Sequence, residues 1–150
     1  GVAPVLEEVG LRGAITSSYT VRPQAAIALD VGFASDHPQT NPKKTGEVKL
    51  GAGPIFHRGP NINPVLGDEL VKTAKKMKMP YQMTAEPRGT GTDANAMQLS
   101  RGGSATALIG IPNLYMHTPV EVLSISDLDN IVKLLTEFLA KHPAKKDYRP

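Results

Sequence analysis

The stretch Ala25-Ala26-Ile27-Ala28-Leu29-Asp30-Val31 decides the fold class. It is a continuous apolar run with one carboxylate near its end. A run without polar alternation suits a central strand covered on both faces, as in a parallel sheet. A charged Asp in such a place needs a partner, because burying it unpaired is expensive. In open α/β sheets ligands gather outside the carboxyl ends of strands. Asp30 therefore reads as a candidate metal ligand, with a backbone amide or an arginine as the plainer partner. Asp36 and His37 follow in the loop as second choices.

Upstream, Val2–Leu6 is a short apolar run interrupted by Pro4, expected to be the end of a buried strand. Glu7-Glu8 and a Gly-rich turn with a possible helix, Val9–Ala14, come next. Downstream, Ser35–Thr45 is a polar, Pro-containing loop. Val48–Phe56 carries Gly51 and Gly53 and is expected to form an irregular, bent strand. From Asn63 to Lys78, Leu66, Leu70, Ala74 and Met77 recur at helical spacing, and Pro80 stops the helix. Tyr81–Ala85 is a short strand. Thr92 or Asp93 caps a short helix to about Ser100. Ala105–Ile111 is a second buried strand closed by Pro112. The last helix is expected to start at a Ser126 cap, with Asp127 and Asp129 in its first turn and a stripe of Leu128, Ile131, Val132, Leu135, Phe138 and Leu139. Pro143 ends it, and residues 143–150 form a polar tail. Alternating strands and helices predict an α/β domain: a mostly parallel central sheet flanked by helices, one unit over residues 1–150.

The 150 residues suffice for one core, and 40% of them are hydrophobic, as in a soluble globular domain. Only 5% are aromatic and Trp is absent, so aliphatic side chains fill the core. The net charge of +3 arises largely from Lys72, Lys75, Lys76, Lys78 and the tail, which read as solvated faces. No basic stripe with interleaved aromatics indicates nucleic acid. With no Cys, disulfides and thiolate chemistry are excluded, and any metal must be held by His and carboxylates. No apolar run reaches the roughly 20 residues of a membrane helix. Gly1–Leu6 lacks the features of a signal peptide, so a cytoplasmic location is the default expectation.

Four features can carry chemistry. Glu7 and Glu8 are adjacent acids that a turn can aim at one pocket, one to bind metal and the other to take a proton from bound water; the plainer reading is two acids at a helix start. Asp30 is the second. His117 follows the buried strand within Met116-His117-Thr118-Pro119-Val120-Glu121; neutral imidazole suits zinc or cobalt, and Glu121 could orient the ring. A backbone-satisfied loop His is the alternative. His57 and His142 have weaker contexts. The loop Gly89-Thr90-Gly91-Thr92-Asp93-Ala94 lacks the Lys-Ser/Thr ending of a phosphate loop; it is either a tight turn before a capped helix or a wall of a substrate pocket, with Gly91, Thr92 and Asp93 as the lining residues.

Taken in order, Glu7-Glu8-Val9-Gly10-Leu11-Arg12-Gly13-Ala14, Ala28-Leu29-Asp30-Val31, Leu50-Gly51-Ala52-Gly53-Pro54, Gly91-Thr92-Asp93-Ala94 and Tyr115-Met116-His117-Thr118-Pro119-Val120-Glu121 resemble the glutamyl and tetrahedral aminopeptidases, a family of two-metal peptidases with endoglucanase-labelled relatives. The resemblance spans about Leu6 to Ala140. It implies a three-layer, zinc-peptidase-like fold and removal of amino-terminal residues from peptides. It also implies Glu7 as general base, Glu8 and His117 as terminal ligands of one divalent metal, and Asp30 as terminal ligand of a second, the metals being zinc or cobalt. Members carry two further ligands upstream of the Glu-Glu pair, a His in a His-x-Asp motif and a bridging Asp, with a dimerisation domain inserted between them. Six residues precede Glu7 here, and none is His or Asp. The expectation is thus the carboxyl-terminal catalytic half of the family, truncated on its amino-terminal side, with an incomplete metal site and with self-association or a complementary half as partner. A non-catalytic assembly or binding module on the same fold is the alternative. An endoglucanase reading, with Glu7 and Asp30 as an acid/base pair, ranks lower because sugar clefts favour aromatic platforms.

Overall fold

The computed structural model describes residues 1–38, 40–143 and 145–149, without the side chains of 44 and 45. The order is α1 (Arg12–Val21), β1 (Ala25–Phe33), α2 (Pro42–Thr45), β2 (Ile55–Arg58), α3 (Pro64–Lys76), β3 (Gln82–Ala85), α4 (Asp93–Gln98), β4 (Ala105–Leu114), β5 (Val122–Leu123) and α5 (Ile125–Lys141). One sheet runs β1-β4-β2-β3, with β5 against the end of β4. The parallel pairings, β1 with β4 and β2 with β3, extend over nine and four residues; the antiparallel ones, β2 and β5 with β4, cover two each.

Side chains alternate across β4, so this strand feeds two cores. Ala107 and Ile109 pack with Phe56, Leu66, Leu70, Ile131, Leu134 and Phe138 beneath α3 and α5. Leu108 packs with Ala28, Ile62 and Ala94 on the opposite side, where α4 lies. The molecule is therefore a helix–sheet–helix sandwich with the mostly parallel sheet in the middle.

Several boundaries depart from the sequence expectations. Residues 1–6 form no strand, and Val2, Val5 and Leu6 are exposed. Only Ile55–Arg58 of the stretch beginning at Val48 is extended in the sheet. Gly51 and Gly53 take φ of +74° and +93°, which makes the preceding segment a turn. β4 continues through Pro112 to Leu114. Pro112 falls between the residues paired with β2 and those paired with β5, so the missing N–H interrupts neither short ladder. β1 is an edge rather than a central strand, with Leu29 50% and Phe33 69% exposed.

The last helix starts one residue after Ser124, not at a Ser126 cap. Its buried stripe is Asp127, Ile131, Leu134 and Phe138, while Val132 and Leu139 face outward. Asp127 is fully buried because its two carboxylate oxygens accept the backbone N–H groups of Gly51 (2.8 Å) and Gly53 (2.9 Å). Of the expected tail, residues 144 and 150 lie outside the described residues. Tyr148 folds back into the α3/α5 core, stacks on His142, and accepts a hydrogen bond at its carbonyl from the Asn63 amide. Among the described residues no helix is long and apolar enough to cross a membrane.

Candidate active site

The site is assembled at the carboxyl end of β1 and β4. Residues 5–11 form a compact turn: the N–H groups of Gly10 and Leu11 donate to the Glu7 carbonyl, and that of Arg12 donates to Leu6. Leu6, Gly10 and Leu11 all have positive φ. The turn lies tightly on the start of α1 because residue 13 is glycine; a Cβ there would meet the Val5 carbonyl oxygen at 2.4 Å. This geometry turns both Glu7 and Glu8 toward the sheet edge, which an extended chain would not do.

Asp30 stands on the α4 side of β1, in register with Gly110 of β4. One carboxylate oxygen accepts the Val31 N–H at 2.8 Å. His117 lies in the turn after β4, with φ of +64°. Its Nδ1 stands 3.8 Å from a Glu8 oxygen, and its ring meets Phe33 edge-on at a centroid distance of 6.5 Å. Asp93, the first residue of α4, joins the group: both Glu7 and Asp30 feel its charge.

Electrostatics follow from this crowding. Glu7 titrates above its ordinary value, first because burial strips solvent, then because Asp30, Glu8 and Asp93 repel its charge; His117 partly offsets this. Burial likewise raises Asp30, against the pull of the Val31 N–H, with Asp93 and Glu8 adding repulsion. Burial raises Asp93, whose Oδ1 is buried without a partner. Such a crowded acidic rim holds a proton more readily than free carboxylates do and attracts a positively charged group.

The loop before α4 is fixed from below. Asn61 is buried; its Oδ1 accepts the Thr90 N–H at 2.5 Å, and its Nδ2 donates to Asn95. The hydroxyls of Thr90 and Thr92 pair at 2.9 Å. Gly91 faces open space. Asp36 accepts the Leu50 N–H and so ties a loop, while His37 packs on Tyr115. Glu121 does not reach the His117 ring; it accepts the His117 backbone N–H. The residues that sequence reasoning passed over are Asn61, Asn113 and Asp127, buried polar side chains: Asp127 holds the Gly51 and Gly53 N–H groups, Asn61 the Thr90 N–H and the Asn95 side chain, and Asn113 the Glu121 carboxylate.

The donor types suit a borderline metal, two carboxylates and an imidazole. Even so, among the described residues no three His, Asp or Glu side chains stand close enough to enclose one. Glu8 and His117 stand 3.8 Å apart, and both are largely exposed. These residues do not by themselves form a metal centre.

A helix-flanked, mostly parallel sheet with acids and an imidazole at the strand ends defines an α/β sandwich domain. The lysyl aminopeptidase of Pyrococcus furiosus is 47% identical over 138 residues, covering 92% of this chain and 39% of that protein. A solved TET aminopeptidase from a marine-sediment thaumarchaeote superposes with a TM-score of 0.87 at 33% identity, over 95% of this chain and 40% of its own. The TET1 peptidase of Pyrococcus horikoshii, described as able to assemble into a tetrahedron or a large octahedral shell, superposes with a TM-score of 0.70 at 30% identity, over 90% and 38%. The family model of the M42 glutamyl aminopeptidases matches residues 1–134, and this chain belongs to that family. The chain spans about two-fifths of the length of these relatives.

Proposed function

We propose that this chain supplies the carboxyl-terminal part of a metal-dependent aminopeptidase active site, with peptide amino termini as substrates. The observation that carries the reading is the convergence of Glu7, Glu8, Asp30 and His117, from three separate segments, on one end of the sheet. Glu7 is the group to take and return a proton: it is partly exposed, so a water can reach it, and burial with the neighbouring acids raises its pKa, which makes it a stronger base than a free carboxylate. Glu8, Asp30 and His117 are the candidate ligands of zinc or cobalt, each site needing further donors beyond the described residues. Asp93 and the Thr90–Thr92 loop line the approach, where surplus negative charge favours the ammonium of a peptide terminus. The setting proposed is cytoplasmic.

Hydrolysis of aminoacyl p-nitroanilides by the chain combined with a part that carries the further donors and supplied with zinc or cobalt, followed by elemental analysis, tests this. Turnover should fall about 10²- to 10⁴-fold in Glu7→Gln with metal content unchanged. Turnover that persists in Glu7→Gln once the donor set is completed, or a completed enzyme that binds metal without turning over, contradicts the proposal.

A second reading is favoured by the open donor set: a non-catalytic module that keeps the fold and associates with copies of itself, as the tetrahedral and octahedral shells described for the Pyrococcus horikoshii peptidase suggest.

A further inference from the structure

We infer that Glu121, held by Asn113, is a positioning residue that sets the backbone of His117 and thereby aims its imidazole at the rim. The inference rests on the reading of His117 as a site residue. Tyr115 and His117 both take left-handed φ, +57° and +64°, which side-chain-bearing residues adopt only when the surroundings fix them. The turn supplies part of that constraint: the Thr118 N–H and hydroxyl both donate to the Tyr115 carbonyl, at 3.1 and 2.6 Å. The His117 N–H would otherwise point to solvent. Instead it donates to Glu121 Oε1 at 2.5 Å, a charge-assisted bond.

Glu121 is exposed. What fixes it is Asn113, whose Nδ2 donates to the other carboxylate oxygen, Oε2, at 3.0 Å. Asn113 is only 1% exposed and is the junction of three strands: it is in register with Phe33 on one side and Leu123 on the other, and its carbonyl accepts the Ala34 N–H. The chain of contacts therefore runs from a buried residue where three strands meet, through one carboxylate, to the backbone of an exposed imidazole. The same two bonds favour the ionised form of Glu121. The result is a ring placed against Phe33 and beside Glu8 although little packs over it.

The test is solution NMR on the whole 150-residue chain. In the wild type the His117 amide should exchange at least about tenfold more slowly than an unprotected turn amide, and cross-relaxation should connect the His117 and Phe33 rings. Glu121→Ala should erase both signals while leaving the far-ultraviolet circular dichroism and the β1–β4 amide protection unchanged. Glu121→Gln, which keeps an oxygen for the His117 N–H, should retain both in weakened form. Unaltered His117 exchange and ring contact in Glu121→Ala overturns the inference, as does equal loss in Glu121→Ala and Glu121→Gln. Failure of the underlying reading is seen separately, as p-nitroanilide turnover that survives His117→Ala.

Discussion

Single side chains in this molecule are set by what surrounds them. His57 lies on β2 and is 9% exposed; its Nδ1 meets the Thr84 hydroxyl at 3.0 Å, while Nε2 sits over Gly110 without a partner. A Cβ at position 110 would come within 2.8 Å of that nitrogen, so glycine is required beneath it. Burial drops the imidazole from its ordinary 6.5 to about 4. Between those values the unfolded chain binds a proton that the folded chain refuses, so stability rises with pH across this window and is lost as pH falls through it. The loss attributable to His57 by pH 4.5 is about 2–3 kcal/mol. Urea titrations at pH 7 and 4.5 should show that His57→Asn loses that much less than the wild type between the two conditions; an identical loss in both proteins would refute the burial argument. Glu7, Asp30 and Asp93 work in the opposite direction. Their folded pKa values are raised, so the folded chain binds more protons, and their repulsion relaxes as pH falls through the raised values. The candidate acids were legible in the sequence because carboxylates near strand ends and in turns stand out. His57 was visible only as a histidine of weak context, since its burial depends on a glycine more than 50 residues away.

At the scale of elements, the departures from expectation share a cause: buried polar side chains fix backbone that no periodicity encodes. The loop before β2 is held by Asp127, which spends both oxygens on Gly51 and Gly53. Helical spacing places position 127 on the same face as Ile131 and Leu134, but nothing in the pattern distinguishes a solvent-facing first-turn acid from one that enters the core. Gly53 admits no substitute easily, since a Cβ there would meet the Pro80 carbonyl oxygen at 2.0 Å. Asp127→Asn leaves one amide hydrogen facing a backbone N–H and should cost about 2–4 kcal/mol of unfolding free energy. Chemical denaturation gives the answer, and a change below about 0.5 kcal/mol, typical of a surface position, would remove Asp127 from this role. The helices themselves were legible: α3 from its four-and-three spacing, and α4 from the Thr92-Asp93 start. β4 outran its expected end because Pro112 falls between the partner strands.

For the whole molecule, the open feature is the edge of β1. The composition of this strand signalled one for the middle of a sheet, but it lies at an edge with Leu29 and Phe33 exposed. A long apolar edge is a template for pairing with another chain. The expected behaviour is concentration-dependent self-association through this edge. Sedimentation velocity should show the larger species diminished in Phe33→Lys, because charge on an edge blocks pairing; a wild-type chain that stays monomeric at high concentration would count against it. The fold class and the layer order could be read from the chain because alternation of strands and helices is a local property. Which strand lies at an edge could not, since that depends on what pairs with it.

Glu7 and Asp30 come from different segments yet share one electrostatic site. Carbon-detected NMR titration of the Glu7 carboxyl group, in the wild-type chain and in Asp30→Asn, tests that directly. Removal of the Asp30 charge should lower the Glu7 pKa toward its ordinary value, because one source of repulsion is gone. A Glu7 titration curve that does not move would place the two acids apart and contradict the site.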